Sequence, residues 1–110
     1  MNTLSSHVLD TTLGKPAHGI ALTLTLPDGN TLSGKTDSDG RFNNWALESD
    51  NGFPAGVYTL RFHCKPYLVK AHGSSFYPHI DITFELDENG GHYHVPLLIS
   101  PFGFSSYRGS

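Results

Sequence analysis

The sequence predicts an all-β fold, a β-sandwich of roughly seven short strands. Three observations carry that reading. Gly, Pro, Asn and Asp punctuate the 110-residue chain about every ten residues, the rhythm of antiparallel strands joined by tight turns. Between these breaks, apolar and polar side chains alternate with period two, as they do on strands with one buried face. Only residues 66–72 carry helical spacing.

Ile20, Leu22, Leu24 and Leu26 alternate with Ala21, Thr23 and Thr25, which describes a half-buried strand. Pro27-Asp28-Gly29-Asn30 turns the chain, and Thr31–Lys35 returns as its partner. A second turn, Asp37-Ser38-Asp39-Gly40, leads into Arg41 and Phe42. Residues 48–56, rich in Asn, Gly and Pro, form a loop. Residues 57–64 make the next strand, with Tyr58, Leu60, Phe62 and Cys64 in one core row. Residues 66–72 form a short helix with Pro66 in its first turn and Tyr67, Leu68 and Ala71 on one face. Alternation resumes at 79–86, Ile80, Ile82, Phe84 and Leu86 pointing inward and Asp81, Thr83 and Glu85 outward. A Gly-rich turn at 87–91 opens the last clear strand, His92–Ser100, in which Pro96 implies a sheet edge or a bulge.

Length and composition set bounds on function. Residues 1–110 fit one domain. A hydrophobic content of 37% is too rich for a disordered chain. The longest apolar run, 95–99, is far shorter than a membrane span, and no secretory leader is evident near the amino terminus. A net charge of −3 argues against a nucleic-acid-binding surface. The single cysteine, Cys64, precludes an internal disulfide and fits a reducing, cytoplasmic setting.

Nucleotide-binding glycine loops, nucleophile elbows and paired cysteines are missing, so histidine is the informative residue. His92 and His94 lie two apart on a strand and therefore leave the same face. Such a pair could bind a metal, transfer protons, or simply face solvent opposite the apolar row Tyr93, Val95, Leu97 and Ile99. His7 stands near the amino terminus, a surface residue or a third member of that set. Arg41 follows an Asp-Gly turn, from which a guanidinium can reach a carbonyl or an anion or merely be solvated. The chain closes on Tyr107-Arg108-Gly109-Ser110, aromatic and cationic at an end that would ordinarily fray.

Taken together and in order, these segments resemble the 5-hydroxyisourate hydrolases, the transthyretin-like enzymes of urate breakdown. The resemblance runs through Leu4-Ser5-Ser6-His7-Val8-Leu9-Asp10 with Gly14-Lys15-Pro16-Ala17, then through Thr36-Asp37-Ser38-Asp39-Gly40-Arg41. It ends on His92-Tyr93-His94-Val95-Pro96-Leu97-Leu98-Ile99-Ser100-Pro101 and the closing Tyr107-Arg108-Gly109-Ser110, a tetrapeptide that hormone-carrying transthyretins lack. Phe104-Ser105-Ser106 departs from the family's common Tyr-Ser-Thr without touching a matched functional residue.

The resemblance implies a transthyretin-like (prealbumin-like) two-sheet sandwich with one short helix. It implies cofactor-independent, metal-free hydrolysis of 5-hydroxyisourate to 2-oxo-4-hydroxy-4-carboxy-5-ureidoimidazoline. It makes His7 and His94 the catalytic pair and has His7, Arg41, Tyr107, Arg108 and Ser110 bind substrate, with the role of His92 open. It further implies a homotetramer with active sites in a channel between dimers. Two other readings stand beside it: a non-catalytic carrier module, and a zinc hydrolase using His7, His92 and His94.

Overall fold

The computed structural model describes residues 1–47 and 51–109. The elements run β1 (Thr3–Asp10), β2 (Lys15–Pro16), β3 (Ala21–Thr25), β4 (Thr31–Lys35), β5 (Arg41–Phe42), β6 (Gly56–His63), α1 (Lys65–His72), β7 (Ile80–Leu86), β8 (His92–Ser100) and β9 (Gly103–Ser106). They form two sheets. One is antiparallel throughout, in the order β4-β3-β6-β7. In the other, β1 and β8 run parallel at the centre, β9 pairs the far side of β8, and β2 and β5 share the free edge of β1.

The alternation read from the sequence is the burial found. Ile20, Leu22 and Leu24, then Tyr58, Leu60, Phe62 and Cys64, are buried on the first sheet's inner face. Leu4 and Val8 of β1 and Tyr93, Val95, Leu97 and Ile99 of β8 meet them in one core. Each fully buried aliphatic side chain is worth about 2 kcal/mol against exposure, so these rows define which face of each sheet points inward. That polarity leaves the opposite face of β1 and β8 to function. No helix is long and apolar enough to cross a membrane among the described residues.

Strand β1 is the element that the alternation does not announce. Its inward row is Leu4, Ser6, Val8 and Asp10, half of it polar. The polar members survive burial because they are bonded: Ser6 Oγ donates to the Val95 carbonyl at 2.8 Å. The Asp10 carboxylate accepts from the Thr12 and Leu13 N–H groups, the Tyr67 hydroxyl and His72 Nε2. Burial works to raise the Asp10 pKa, but the hydrogen bonds from His72, Tyr67 and the Leu13 N–H outweigh it and hold the carboxyl below the ordinary aspartate value. The same contacts tie α1 to β1. Leu68 is the helix's buried residue and His72, four residues on, shares its face, whereas Ala71 points to solvent, contrary to the sequence expectation. Gly73 ends the helix in a left-handed conformation at φ 84°, its N–H donating to the Val69 carbonyl.

Pro96 lies neither at a sheet edge nor at a bulge: β8 is an interior strand, and its register with β1 is one-to-one from Thr3↔His92 to Asp10↔Ile99. The missing N–H is accommodated on the β9 side. The ladder there ends at Leu97↔Ser106, and pairing returns only at the isolated bridge His94↔Gly109. In that register Tyr107 stands opposite Pro96, at a position where a donor on β8 would be required. Proline therefore releases residues 107–108 from the sheet. Of the expected loop 48–56, residues 48–50 lie outside the described residues, while Phe53 is buried in the core.

Candidate active site

Period two on β1 and β8 turns Ser5, His7, His92 and His94 away from the core, because Leu4, Ser6, Val8, Tyr93 and Val95 occupy the inner positions. Register then decides which of them meet. Thr3 pairs His92, Ser5 pairs His94 and His7 pairs Pro96 across the parallel ladder, and Arg41 pairs His7 from the other side. Residues directly opposite share a face, so three strands deliver two imidazoles and a guanidinium to one surface. The His7 and His94 ring centroids are 6.5 Å apart, with the planes tilted by 36°.

The turn before β5 fixes Arg41. Asp37 Oδ1 accepts from the N–H groups of Asp39 and Arg41, at 2.8 and 3.0 Å, and the Gly40 carbonyl accepts from Val8 N–H at 2.7 Å. Gly40 adopts φ 73°, and a Cβ there would strike the Val8 carbonyl, so the turn closes on β1 only with glycine. The hydrogen bond from the Arg41 N–H leads the effects that hold the Asp37 carboxyl below its usual value.

His94 is half-buried, and its Nδ1 is 2.7 Å from Ser5 Oγ. Burial first, then the charges of Arg41, His7 and His92, pushes its pKa below that of a free imidazole. A ring so placed is neutral near pH 7 and able to accept a proton. His92 is exposed, with Nε2 at 3.0 Å from Ser5 Oγ and Nδ1 at 2.6 Å from Thr3 Oγ1. Among the described residues, no three His, Cys, Asp or Glu side chains converge on a metal-sized site.

The chain end reaches this surface through Gly109, whose N–H donates to the His94 carbonyl at 2.8 Å. Tyr107, opposite Pro96, is 60% exposed. Arg108 lies 4.5 Å over the ring of Tyr93, a member of the inward row. His94, Tyr107 and Arg108 border one hollow of about 290 Å³, and Arg41, His92 and Ser5 border another of about 270 Å³. The structure brings His7, Arg41 and His94 together and sets Tyr107 opposite Pro96 near them. It places Arg108 against Tyr93 of the inward row and not on the face of the histidines, and leaves Ser110 outside the described residues. Sequence reasoning passes over Ser5 and Thr3, because their contacts depend on a parallel pairing of strands 89 residues apart.

The site is thus a histidine pair and an arginine on the outer face of one sheet of a two-sheet sandwich. Residues 4–109 match the HIUase/Transthyretin family, and the chain belongs to that family. It is 41% identical over 115 aligned residues to 5-hydroxyisourate hydrolase 2 of Rhizobium meliloti (strain 1021), covering 97% of this chain and 95% of that one. Among solved structures it is similar to Klebsiella pneumoniae 5-hydroxyisourate hydrolase, with TM-score 0.84 and 36% identity over 100% of this chain and 94% of that one. It is also similar to transthyretin from Sparus aurata, with TM-score 0.84 and 32% identity over 97% of this chain and 96% of that one. Equal TM-scores mean that the backbone does not separate a hydrolase from a transthyretin. The side chains on the outer face must do so.

Proposed function

We propose that this protein hydrolyses 5-hydroxyisourate to 2-oxo-4-hydroxy-4-carboxy-5-ureidoimidazoline, as a cyclic amidase of urate breakdown. The observation that carries the reading is the convergence of His7, His94 and Arg41 on one face. Water is a poor nucleophile at neutral pH, and its attack on a lactam carbonyl needs a base to take a proton as the C–O bond forms. His94 suits that part, since burial favours its neutral form. His7, on the same face, gives a proton to the nitrogen that departs as the C–N bond breaks. Arg41, beside His7, offsets the negative charge that develops on the carbonyl oxygen. Tyr107 and Ser110 orient the ring from the chain end. Neither a metal nor an organic cofactor enters this scheme.

Residues 1–110 act as one hydrolase domain and assemble as a homotetramer. The two hollows are open, and β9 is an edge strand flanked by Phe102 and Tyr107, both largely exposed. A second copy against this surface would cover the site and exclude bulk water. The one cysteine is free and buried, in keeping with a cytoplasmic protein. The test is direct. Added to freshly generated 5-hydroxyisourate, the protein should speed the ultraviolet decay well above the spontaneous background. No acceleration at micromolar protein sinks the enzyme and favours a carrier.

A further inference from the structure

Ser5 Oγ lies within hydrogen-bond distance of two imidazoles, 2.7 Å from His94 Nδ1 and 3.0 Å from His92 Nε2. A hydroxyl has one proton, so it can donate to only one of them, and the other ring must donate to it. Thr3 Oγ1 adds a third bond, at 2.6 Å from His92 Nδ1. Each neutral imidazole carries a single N–H. A hydroxyl oxygen also has two lone pairs, so three arrangements satisfy all three bonds. In two of them the line runs in one direction. In the other, both rings donate to Ser5, which leaves His94 protonated on Nδ1 as in the first of the two.

In the first, His94 Nδ1–H donates to Ser5, the Ser5 hydroxyl donates to His92 Nε2, and His92 Nδ1–H donates to Thr3. His94 Nε2 is then bare. In the second, every bond is reversed, from Thr3 through His92 and Ser5, and His94 carries its proton on Nε2. The second cannot act as a base at the open end of the ring, because Nε2 carries the proton and the Nδ1 lone pair accepts the hydrogen bond from Ser5. His94 Nε2 has no hydrogen-bond partner among the described residues.

We propose that Ser5 is a positioning residue that holds His94 with Nδ1 protonated and Nε2 bare, through the line Thr3–His92–Ser5–His94. The proposal rests on the hydrolytic reading of this face and assigns His92 a part in it. The proton account closes. One O–H bond of water breaks, one N–H bond forms at Nε2, and the new imidazolium keeps its Nδ1–H on Ser5. No bond in the line has to break as the charge forms, so the ring stays in place through the step. Both ends are suited to this: His94 is half-buried at the site, while Thr3 and His92 are exposed and exchange protons with solvent.

The test compares Ser5→Ala and Ser5→Thr with the unaltered protein by steady-state kinetics, thermal unfolding and nitrogen-15 spectra of the imidazoles, with His94 assigned from His94→Gln. For Ser5→Ala, kcat should fall about 10²-fold, the loss typical of a misplaced catalytic group, with KM little changed because Ser5 does not hold substrate. The His94 nitrogen shifts should move from Nδ1–H toward Nε2–H. Ser5→Thr keeps the hydroxyl and should restore both. Full kcat in Ser5→Ala, or unchanged His94 shifts, overturns the proposal. Should Ser5→Ala fail to fold, Thr3→Val at the exposed end reads the same coupling, and unchanged His94 shifts there overturn it equally. If the unaltered protein hydrolyses nothing, the functional reading fails, while the spectra still judge the Ser5 line alone.

Discussion

Arg41 and His7 are direct partners in the antiparallel ladder between β5 and β1, which sets a guanidinium beside an imidazole on one sheet face. Neither side chain is part of the buried core, and His94 is only half-buried. Replacing any of the three by alanine should therefore leave the sandwich folded. His7→Ala and His94→Ala should lower turnover by about 10²–10⁴-fold, the usual contribution of a general acid or base. Arg41→Ala should cost about 10²–10³-fold, the usual loss when a group facing a developing oxyanion is removed. Turnover and circular dichroism measured together decide the matter. A histidine variant with full activity would leave the mechanism without that residue.

The pH profile should carry the mark of His94. Burial and the neighbouring charges of Arg41, His7 and His92 lower its pKa, so it remains a competent base below the ordinary imidazole value of about 6.5. The acid limb of kcat/KM should accordingly fall below pH 6.5, and Arg41→Gln should move it upward by removing one of the charges. The same shift has a stability consequence of fixed sign. The unfolded chain takes up a proton at His94 before the native one does, so this contribution is complete above about pH 6.5 and is lost as pH falls through the lower native value. An acid limb at or above pH 6.5, unmoved in Arg41→Gln, would contradict the assignment of His94 as base.

Much of this was legible in the sequence, for identifiable reasons. The rows Ile20-Leu22-Leu24 and Tyr58-Leu60-Phe62 are apolar at every inward position, so period two alone reveals them. Strand β1 was not legible, because Ser6 and Asp10 hold half of its inward row and are made tolerable by partners far along the chain. Ala71 misled because helical spacing says which residues share a face, not which face is covered. Pro96 misled because an interior strand can lack a donor where its neighbour departs. Of the candidate site, His7, Arg41 and His94 were legible through family resemblance, which preserves residue types in order. Ser5 and Thr3 were not, since their value lies in the register Ser5↔His94 and Thr3↔His92, and no local spacing encodes a parallel pairing.

Asp10 should be the most sensitive polar position in the fold. Its carboxylate is fully buried and accepts four hydrogen bonds that join β1, the following turn and α1. It also helps to push the Tyr67 hydroxyl up to about 12, after the effect of burial. Asp10→Ala removes the acceptor and strands its donors, and should lower unfolding free energy by about 3 kcal/mol. Because the native pKa is depressed, the contribution is complete above about pH 4 and is lost as pH falls below it, as the native carboxylate becomes protonated. Urea unfolding at neutral and acid pH should show the gap between Asp10→Asn and the unaltered protein narrowing toward acid. A gap independent of pH would mean that packing, not charge, accounts for Asp10.

Gly109 should matter to catalysis more than to folding. It stands opposite His94 in an isolated bridge, and a Cβ added there would collide with Cδ2 of the His94 ring. That collision is with a side chain on the active face, at a chain end with few other contacts, so the sandwich has no reason to unfold. Gly109→Ala should displace the imidazole by a fraction of an ångström or push the chain end away, and either costs rate, since misplacement by an ångström can cost about 10²-fold. Deleting residues 107–110 removes the same bridge and Tyr107, and should reduce turnover at least as far. A tag after Ser110 should do likewise by crowding the surface. Turnover, thermal midpoint and sedimentation measured on all three variants separate a damaged site from a lost assembly. The expected pattern is low turnover with a near-normal midpoint, most clearly in Gly109→Ala, where only one methyl group is added. Full activity in all three would reduce Tyr107-Arg108-Gly109-Ser110 to a family marker without a part in the chemistry.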